Sequence, residues 1–497
     1  MRLPSREWIR QRPGVACLAA VLAGAALVAA FEPVGAFPLA LACPALLAYL
    51  WICAARARDA AWIGFAFGMG LFLTGVSWVY VSLSVFGGMA PPFAIFATLA
   101  YCAFLSWPLA LAGYVQHRVG SGETLRLVCV IPAVWMIAEM LRGTGFTGFP
   151  WLVLGYASIG TPLAGFAPIA GVYGVTLVAM ACAGLLLHAI LQPRRLVAIA
   201  ALAAVLGAGA LLRMADWTRP SGEPFMAAVL QGNIEQSIKF DPDRFAKILD
   251  TYEKLAYESR AKLVVLPETA VPRFLDRLDP AYMQALDSIA KRNGGDILIG
   301  VPTRRGPTTY FNSVVSRGVS RPQVYHKVHL VPFGEFVLPG FGWIVKYLQI
   351  PMADFTSGGR SQKPLAVAGQ RVAVNICYED AFGEEIVRPL PEATLLVNVS
   401  NMAWFGDSLA PGQHLQMARM RTIETGRAML VATNTGLTAA IDRGGRMLGL
   451  LPQFAEGRLE AMVSGYSGAT PYVVVGNWLA FGIAVFMIAL SALLRKR

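Results

Sequence analysis

Three short segments of the sequence carry side chains that together could do covalent chemistry. Glu268 lies in "VVLPETA", Lys327 and Glu335 lie in "HKVHLVPFGEF", and Cys377 lies in "VNICYED". A cysteine that attacks an acyl group needs a base to take its proton and positive groups to stabilise the thiolate and the oxyanion. Glu268 is the candidate base, Lys327 is the candidate cation, and the backbone N–H of Tyr378 is a further candidate oxyanion donor.

Each of these residues also has a plainer interpretation. A carboxyl group after a buried strand is often an ion-pair partner, and a lone lysine or glutamate is more often a surface residue. A cysteine in an apolar strand is often only a small packing residue. The set as a whole favours catalysis, because all three segments follow predicted strands and ligand sites in α/β proteins gather at the C-terminal ends of strands.

Cys377 has two acidic neighbours, Glu379 and Asp380, which would raise the pKa of a nearby thiol and weaken it as a nucleophile. Side-chain direction alternates along a strand and changes again in the turn that follows it. We therefore expect both acids to point away from the sulfur, while Lys327 and Glu268 approach it from other segments. The test of this hypothesis is the position of those two side chains relative to the Cys377 sulfur.

Other roles for Cys377 are disfavoured. The other six of the seven cysteines lie in apolar segments, so the polar part of the chain offers no disulfide partner. A metal site is not indicated either, because His326 and His329 are three residues apart on a predicted strand and point to opposite faces. We expect neither a metal nor a cofactor.

The composition indicates that much of the chain lies in a membrane. Of 497 residues, 56% are hydrophobic and only 14% are charged, against about 25% charged residues in soluble domains. We interpret eight apolar runs as spans, most of them long enough to cross about 30 Å of hydrocarbon as helices. The runs are 14–31, 34–54, 61–83, 93–115, 125–141, 163–191, 196–212 and 472–494.

The basic residues predict the orientation of these spans. Both termini and the second, fourth and sixth connections hold basic clusters, whereas "EPVG" and "GGMAPP" hold no Lys or Arg. Both termini are then cytoplasmic, and the polar block before the last span is extracytoplasmic. The net charge of +12 fits this placement better than a nucleic-acid-binding face. Arg142, on the outer side beside Glu139, is the exception and indicates specific packing or a headgroup site.

The polar block alternates predicted strands and helices, which is typical of an α/β domain. The expected organisation is a transmembrane domain with seven helices at 1–216, a catalytic domain at 217–467, and a last span with a cytoplasmic tail at 468–497. Within the block, 336–358 is apolar and aromatic, with Lys346 and Asp354 as its only charges. That segment is either a core helix or an arm at the membrane interface.

The three reactive segments resemble a known group of enzymes. "LPETA", "HKVHLVPFGEF" and "NICYED" are similar to the catalytic blocks of the nitrilase (carbon–nitrogen hydrolase) superfamily, with its Glu-Lys-Cys triad. The spans and further motifs narrow this resemblance to the membrane-embedded apolipoprotein N-acyltransferase family over nearly the whole chain. Those motifs are "EMLRG…GFPW", "QGNIEQSIKF", "NMAWFGDS", "ARMRTIETGR", "TNTGLTAAID" and "TPYVVVGNW".

The resemblance implies an α-β-β-α sandwich and a ping-pong reaction. Cys377 would take an acyl chain from a phospholipid, most simply phosphatidylethanolamine, and pass it to the α-amine of a diacylglyceryl-cysteine on an apolipoprotein. Glu268 would be the base and Lys327 the oxyanion stabiliser. The family also implies a bacterial inner membrane location and a periplasmic catalytic domain, with lipid as partner rather than nucleic acid. A monomer is expected because one site per chain needs no second copy.

The same resemblance assigns supporting roles to Glu335, Tyr378 and Glu379, and substrate contact to Phe240. Two positions depart from the family pattern. Phe240 stands where the family often has Trp, which keeps an aromatic wall, and Met402 stands where it often has Asp, which loses a charge.

Three other interpretations stay open at this stage. The first is a membrane-tethered amidase or nitrilase-type hydrolase with the same triad, in which water is the acceptor. The second is a transporter or receptor whose outer domain only binds a ligand. The third concerns the roles of two single residues. His414 is most simply a polar residue near a helix cap, and Asn398 either lines the site or caps a loop.

Overall fold

The computed structural model describes residues 4–119, 122–192, 195–306, 308–337 and 354–494. Residues 338–353 of the apolar segment 336–358, expected to be an arm or a core helix, therefore lie outside the described residues, as do the last three residues of the chain. The described chain forms two compact units. One comprises 1–80, 91–215 and 474–497, and the other comprises 81–90 and 216–473.

The first unit is built from apolar helices, as expected for segments whose backbone groups must be satisfied internally in lipid. The α-helices outside the polar block are Arg6–Arg10, Pro13–Leu27, Pro38–Cys53, Ala57–Gly75, Trp78–Val81, Pro91–Val119, Glu123–Leu125, Ile131–Thr144, Ala167–Leu191, Arg195–Leu212, Pro471–Val475 and Trp478–Leu494.

Fewer helices than eight are long and apolar enough to cross a membrane alone. Within the described ranges there are five: Pro13–Ala30, Pro91–Val119, Glu123–Thr144, Pro162–Leu191 and Arg195–Leu212. Ala57–Gly75 and Trp78–Phe86 would make a sixth if this pair, bent by 52°, were one span. Pro38–Cys53 and Trp478–Leu494 are apolar but have only 16 and 17 residues. At about 1.5 Å per residue they fall short of about 30 Å, so the count of eight stays a prediction.

Buried polar residues in the first unit bond to their own surroundings. The Glu139 carboxylate accepts hydrogen bonds from Trp135 Nε1, Thr176 Oγ1 and the backbone N–H of Leu154. Arg142 donates to the backbone carbonyls of Phe149 and Trp151. These contacts join a helix to the irregular segment that follows it, which favours specific packing over a headgroup site.

The second unit contains two stacked β-sheets. Its strands are β1 Thr218–Gln231, β2 Leu263–Val265, β3 Asp296–Arg305, β4 Thr309–Gly318, β5 Val324–His326, β6 Leu365–Val367, β7 Gln370–Ile376, β8 Leu395–Ser400, β9 Met429–Thr433, β10 Thr438–Ile441, β11 Met447–Leu451 and β12 Gly457–Gly468. One six-stranded sheet has the order β12-β1-β2-β3-β4-β5, and the other has the order β11-β10-β9-β8-β7-β6.

The layers of this unit follow from its apolar clusters. Residues of β1 to β3 and of β7 to β9 form one core between the sheets. Helices Phe245–Tyr257 and Pro280–Arg292 pack on the outer face of the first sheet. Gly383–Ile386 and Ala410–Thr425 pack on the outer face of the second. The unit is thus an α-β-β-α sandwich, which confirms the predicted α/β fold.

Strand direction brings the reactive segments to one edge of this sandwich. In the first sheet β2 is parallel to β3, and β5 runs in the same direction because two antiparallel pairings separate it from β3. Glu268 follows β2, Lys327 follows β5 and Cys377 follows β7. Each reactive side chain therefore starts from the C-terminal end of a strand.

The short segment 81–90 contributes to the second unit, although it is far in sequence from the rest. The Oγ atom of Ser82 donates a hydrogen bond to the backbone carbonyl of Trp404 at 2.8 Å. The ring of Phe86 packs edge to face against Trp404, with centroids 6.1 Å apart. This segment supports the loop that follows β8.

Candidate active site

A buried lysine joins two carboxylates at the edge of the sandwich. Lys327 Nζ lies 3.3 Å from Glu268 Oε1 and 2.8 Å from the Glu335 carboxylate, and the lysine side chain is 1% exposed. Asn312 Nδ2 donates to both acids, at 2.7 Å to Glu268 and 2.8 Å to Glu335. Burial opposes the charge of Lys327, but the two carboxylates outweigh it and raise the pKa of the lysine. Lys327 is therefore a fixed cation.

The Glu268 carboxylate is held on both of its oxygens. Oε1 accepts hydrogen bonds from Asn312 Nδ2 and Lys327 Nζ, and Oε2 accepts one from the backbone N–H of Asn401 at 2.8 Å. These donors come from β4, from the end of β5 and from the end of β8, so both sheets contribute. Their geometry fixes the orientation of the Glu268 carboxylate.

Cys377 lies in a strained turn directly after β7. Its φ angle is +54°, in the left-handed region that favours glycine. Its backbone carbonyl accepts Asn398 Nδ2 at 2.9 Å and faces His414 Nε2 at 3.4 Å. Such strain costs about 1–3 kcal/mol and persists where surrounding contacts enforce it, often at functional sites. A nucleophile presented on a sharp turn after a strand has this geometry.

The surroundings of Cys377 favour a protonated thiol at rest. Burial raises the pKa of the Cys377 thiol. The nearby charges of Glu268 and Glu335 raise this pKa further, whereas the charge of Lys327 lowers it. Glu268 and Lys327 therefore both act electrostatically on the Cys377 thiol, in opposite directions. A thiol in this setting needs a base to remove its proton as it attacks.

The Glu379 carboxylate is occupied by a set of donors from the neighbouring segments. Oε1 accepts the backbone N–H groups of Val328 at 2.6 Å and His329 at 3.0 Å. Oε2 accepts the N–H of Ile376 at 2.7 Å and the Tyr325 hydroxyl at 3.0 Å. Burial raises the pKa of Glu379 to about 7, although the backbone donors favour its charged form. Glu379 thus ties the segment of Lys327 to the turn of Cys377.

The Asp380 carboxylate faces a histidine from the helix Ala410–Thr425. Asp380 Oδ1 lies 3.0 Å from His414 Nε2, and both side chains are buried. Burial opposes a charge on His414, but Asp380 outweighs it and raises the pKa of the imidazole. His414 lies inside the helix Ala410–Thr425, so its interpretation as a residue near a helix cap is wrong.

The described residues contain no group of three or more His, Cys, Asp or Glu side chains that would hold a metal ion. The polar groups at this edge bond to each other instead, as Lys327 does with Glu268 and Glu335. The arrangement suits acid–base and nucleophilic chemistry carried out by side chains.

Two protein-family models together match most of this chain. Residues 23–185 match the family model of the apolipoprotein N-acyltransferase N-terminal domain, and residues 226–472 match that of carbon–nitrogen hydrolase. The apolipoprotein N-acyltransferase of Nitrosomonas europaea is 45% identical, covering 96% of this chain and 97% of that protein. Those of Ralstonia nicotianae and Methylococcus capsulatus are 44% and 41% identical, covering 96% and 97% of this chain and 93% and 97% of their own lengths.

The chain belongs to the apolipoprotein N-acyltransferase family. This confirms the resemblance seen in the motifs, including the nitrilase-superfamily domain, and the expectation of an acyltransferase. Together with the apolar helices, it also identifies the chain as a membrane protein.

The two departures from the apolipoprotein N-acyltransferase pattern have different surroundings. Phe240 is 38% exposed, so its ring is available to a substrate. Met402 is 2% exposed, and a Cβ built on Gly436 would lie 2.9 Å from its side chain. A buried apolar Met402 fits this packed position, where a charged residue would need a partner. The Tyr378 ring packs edge to face against Phe382, with centroids 4.9 Å apart.

Two residues at this site, Lys239 and Asn312, were not predicted from the sequence. The contacts of Asn398 with Cys377 and of His414 with Asp380 were not predicted either. Asn312 carried little signal, because its strand β4 also holds Thr309, Ser313, Ser316 and Arg317, so one more polar residue does not stand out. Lys239 stands next to Phe240 in "SIKF", but nothing in a loop sequence shows that its lysine is buried.

Proposed function

We propose that this chain moves an acyl chain from a membrane phospholipid to the α-amine of the N-terminal diacylglyceryl-cysteine of apolipoproteins, through a thioester on Cys377. The observation that carries the proposal is the buried Glu268–Lys327 pair, coupled to a cysteine on a strained turn. The names of the relatives support the acceptor class, because they are apolipoprotein N-acyltransferases.

In the first half-reaction Cys377 Sγ attacks the carbonyl carbon of an acyl ester. Glu268 takes the thiol proton as the S–C bond forms. Lys327 and the backbone N–H of Tyr378 stabilise the negative charge on the carbonyl oxygen. The ester C–O bond then breaks, Glu268 returns the proton to the glycerol oxygen, and a lysophospholipid leaves.

In the second half-reaction the neutral α-amine of the acceptor attacks the thioester carbonyl. An N–C bond forms, the C–S bond breaks, and the amine proton passes through Glu268 to the Cys377 sulfur. The products are an amide and a free thiol, so no external oxidant or cofactor is needed. Glu335 keeps Lys327 charged, and Glu379 holds the turn of Cys377 against the Lys327 segment.

The finer assignments are part of the same proposal. The donor is phosphatidylethanolamine at its sn-1 ester, Phe240 and Tyr378 contact substrate, and the enzyme acts as a monomer in the bacterial inner membrane. Both termini are cytoplasmic and the catalytic domain is periplasmic, as the basic connections favour. The eight spans and the domain limits at 216 and 467 belong to this proposal as well.

Mass spectrometry of the purified protein with labelled phospholipid tests the proposal. We expect an acyl mass on the Cys377 peptide, which moves to a diacylglyceryl peptide when that acceptor is added. Cys377→Ser should abolish the thioester, whereas the control Cys17→Ser, in an apolar helix, should keep it. Release only as free fatty acid would favour a hydrolase, the second candidate suggested by the carbon–nitrogen hydrolase match. Active protein without any adduct contradicts the covalent mechanism.

A further inference from the structure

A second buried lysine lies beside the proposed base. Lys239 comes from the loop after β1 and is 2% exposed. Its Nζ donates a hydrogen bond to the backbone carbonyl of Glu268 at 3.2 Å. Lysine is almost never fully buried without a reason, because removing an ammonium group from water is costly. The reaction steps proposed above do not use it.

The loop that carries Lys239 is fixed by contacts with the other sheet. The backbone N–H of Asn233 donates to the Asn434 carbonyl at 2.9 Å, and that of Ile234 donates to Asn434 Oδ1 at 3.0 Å. Gln236 Oε1 accepts Asn401 Nδ2 at 2.8 Å. Asn401 also donates its backbone N–H to Glu268, so this loop meets the base from two directions.

The two lysines hold their charges in different ways. Lys327 contacts two carboxylates, whereas the hydrogen bond described for Lys239 goes to a neutral carbonyl. Burial lowers the pKa of Lys239 to about 8, while Glu268 and Cys377 favour its charged form. Lys239 is thus a cation near neutral pH that interacts with both the base and the nucleophile.

We propose that Lys239 is a positioning residue for acyl-enzyme formation, which holds the backbone of Glu268 and stabilises the negative charge that develops on the Cys377 sulfur. This inference rests on the proposed function and deepens it. Glu268, Glu335 and Asp380 all raise the pKa of the Cys377 thiol. A second positive charge beside Glu268, which also interacts with Cys377, would offset part of their effect.

Two rates measured across pH test the role of Lys239. One is acyl-enzyme formation at saturating phospholipid, and the other is alkylation of the Cys377 peptide by iodoacetamide. A charge effect of about one pKa unit makes Lys239→Met about tenfold slower than wild type near neutral pH, with an unchanged half-saturating phospholipid concentration. Lys239→Arg, which keeps the charge, should restore most of the rate. The control Lys247→Met, on an exposed helix face, should match wild type.

The pH profile separates this role from packing. The advantage of wild type over Lys239→Met should shrink above about pH 8, where the lysine loses its charge. Equal rates in both proteins would overturn the proposal, and so would a deficit that is constant with pH and is not rescued by arginine. If Lys239→Met fails to fold, as its thermal unfolding would reveal, Lys239→Gln replaces it. Absence of an acyl adduct in wild type would refute the proposed function, while the alkylation rates would still test Lys239.

Discussion

His414 Nε2 lies 3.0 Å from Asp380 Oδ1, behind the turn that carries Cys377. Asp380, three residues after the proposed nucleophile Cys377, is thus paired with a buried imidazole from a separate helix. The same imidazole faces the Cys377 carbonyl at 3.4 Å. The contact therefore links the charge state of His414 to the turn of Cys377.

The His414–Asp380 contact predicts a pH-dependent stability. Folding raises the pKa of His414 above its ordinary 6.5, so the folded protein holds this proton more tightly than the unfolded chain. The stabilisation is complete below about pH 6.5 and is lost as pH rises through the raised pKa. The unfolding temperature of Asp380→Asn should fall below that of wild type most at low pH. A difference in unfolding temperature that does not shrink with rising pH contradicts this prediction. The control is Asp250→Asn at an exposed position, and the same difference in that variant would also contradict the prediction.

Glu268 and Glu335 should differ when each is replaced by glutamine. Glu268→Gln removes the proposed base and should slow acyl-enzyme formation by about 10²–10⁴-fold. Glu335→Gln removes only one partner of Lys327 and should cost less, because Glu268 still pairs with the lysine. Single-turnover acylation rates measure both. Equal losses in the two variants would mean that their roles are not separate.

Asn398 should matter through the backbone of Cys377. Asn398→Ala removes the amide that donates to the Cys377 carbonyl at 2.9 Å. The lost hydrogen bond should cost about 1–3 kcal/mol in the free energy of unfolding and slow acylation, because the left-handed turn is less well held. Denaturant unfolding and acylation rates measure the two effects. Ser400→Ala, which removes only a donor to Asn398, is the control and should be milder.

Ser82 should support the loop after β8 from a distant part of the sequence. Ser82→Ala removes its hydrogen bond to the Trp404 carbonyl, worth about 0.5–1.5 kcal/mol. Because the same loop begins at Asn401, whose N–H holds Glu268, acylation should slow by about two- to tenfold. Ser84→Ala in the same short segment is the matched control. An acylation rate that is the same in both variants and in wild type would contradict the prediction that Ser82 affects acylation through this loop.

Much of the candidate site could be predicted because it follows strand ends. Glu268, Lys327 and Cys377 each come directly after an apolar strand or a short loop from one, which the sequence pattern predicts. The count of spans was harder, because Pro38–Cys53 and Trp478–Leu494 form shorter helices than their apolar runs indicate. Helix ends depend on local caps and packing as well as on hydropathy.

The reactive residue types, the α/β class, the apolar runs and the family could be predicted from the sequence alone, since they depend on local pattern and motif order. The hydrogen-bond partners of those residues became known only from the fold. Asn401 reaches Glu268 across 133 residues of sequence, and Lys239 reaches it across 29. Such partners, like the pairing of Asp380 with His414, depend on how two sheets stack and how their loops pack, and no local periodicity encodes that arrangement.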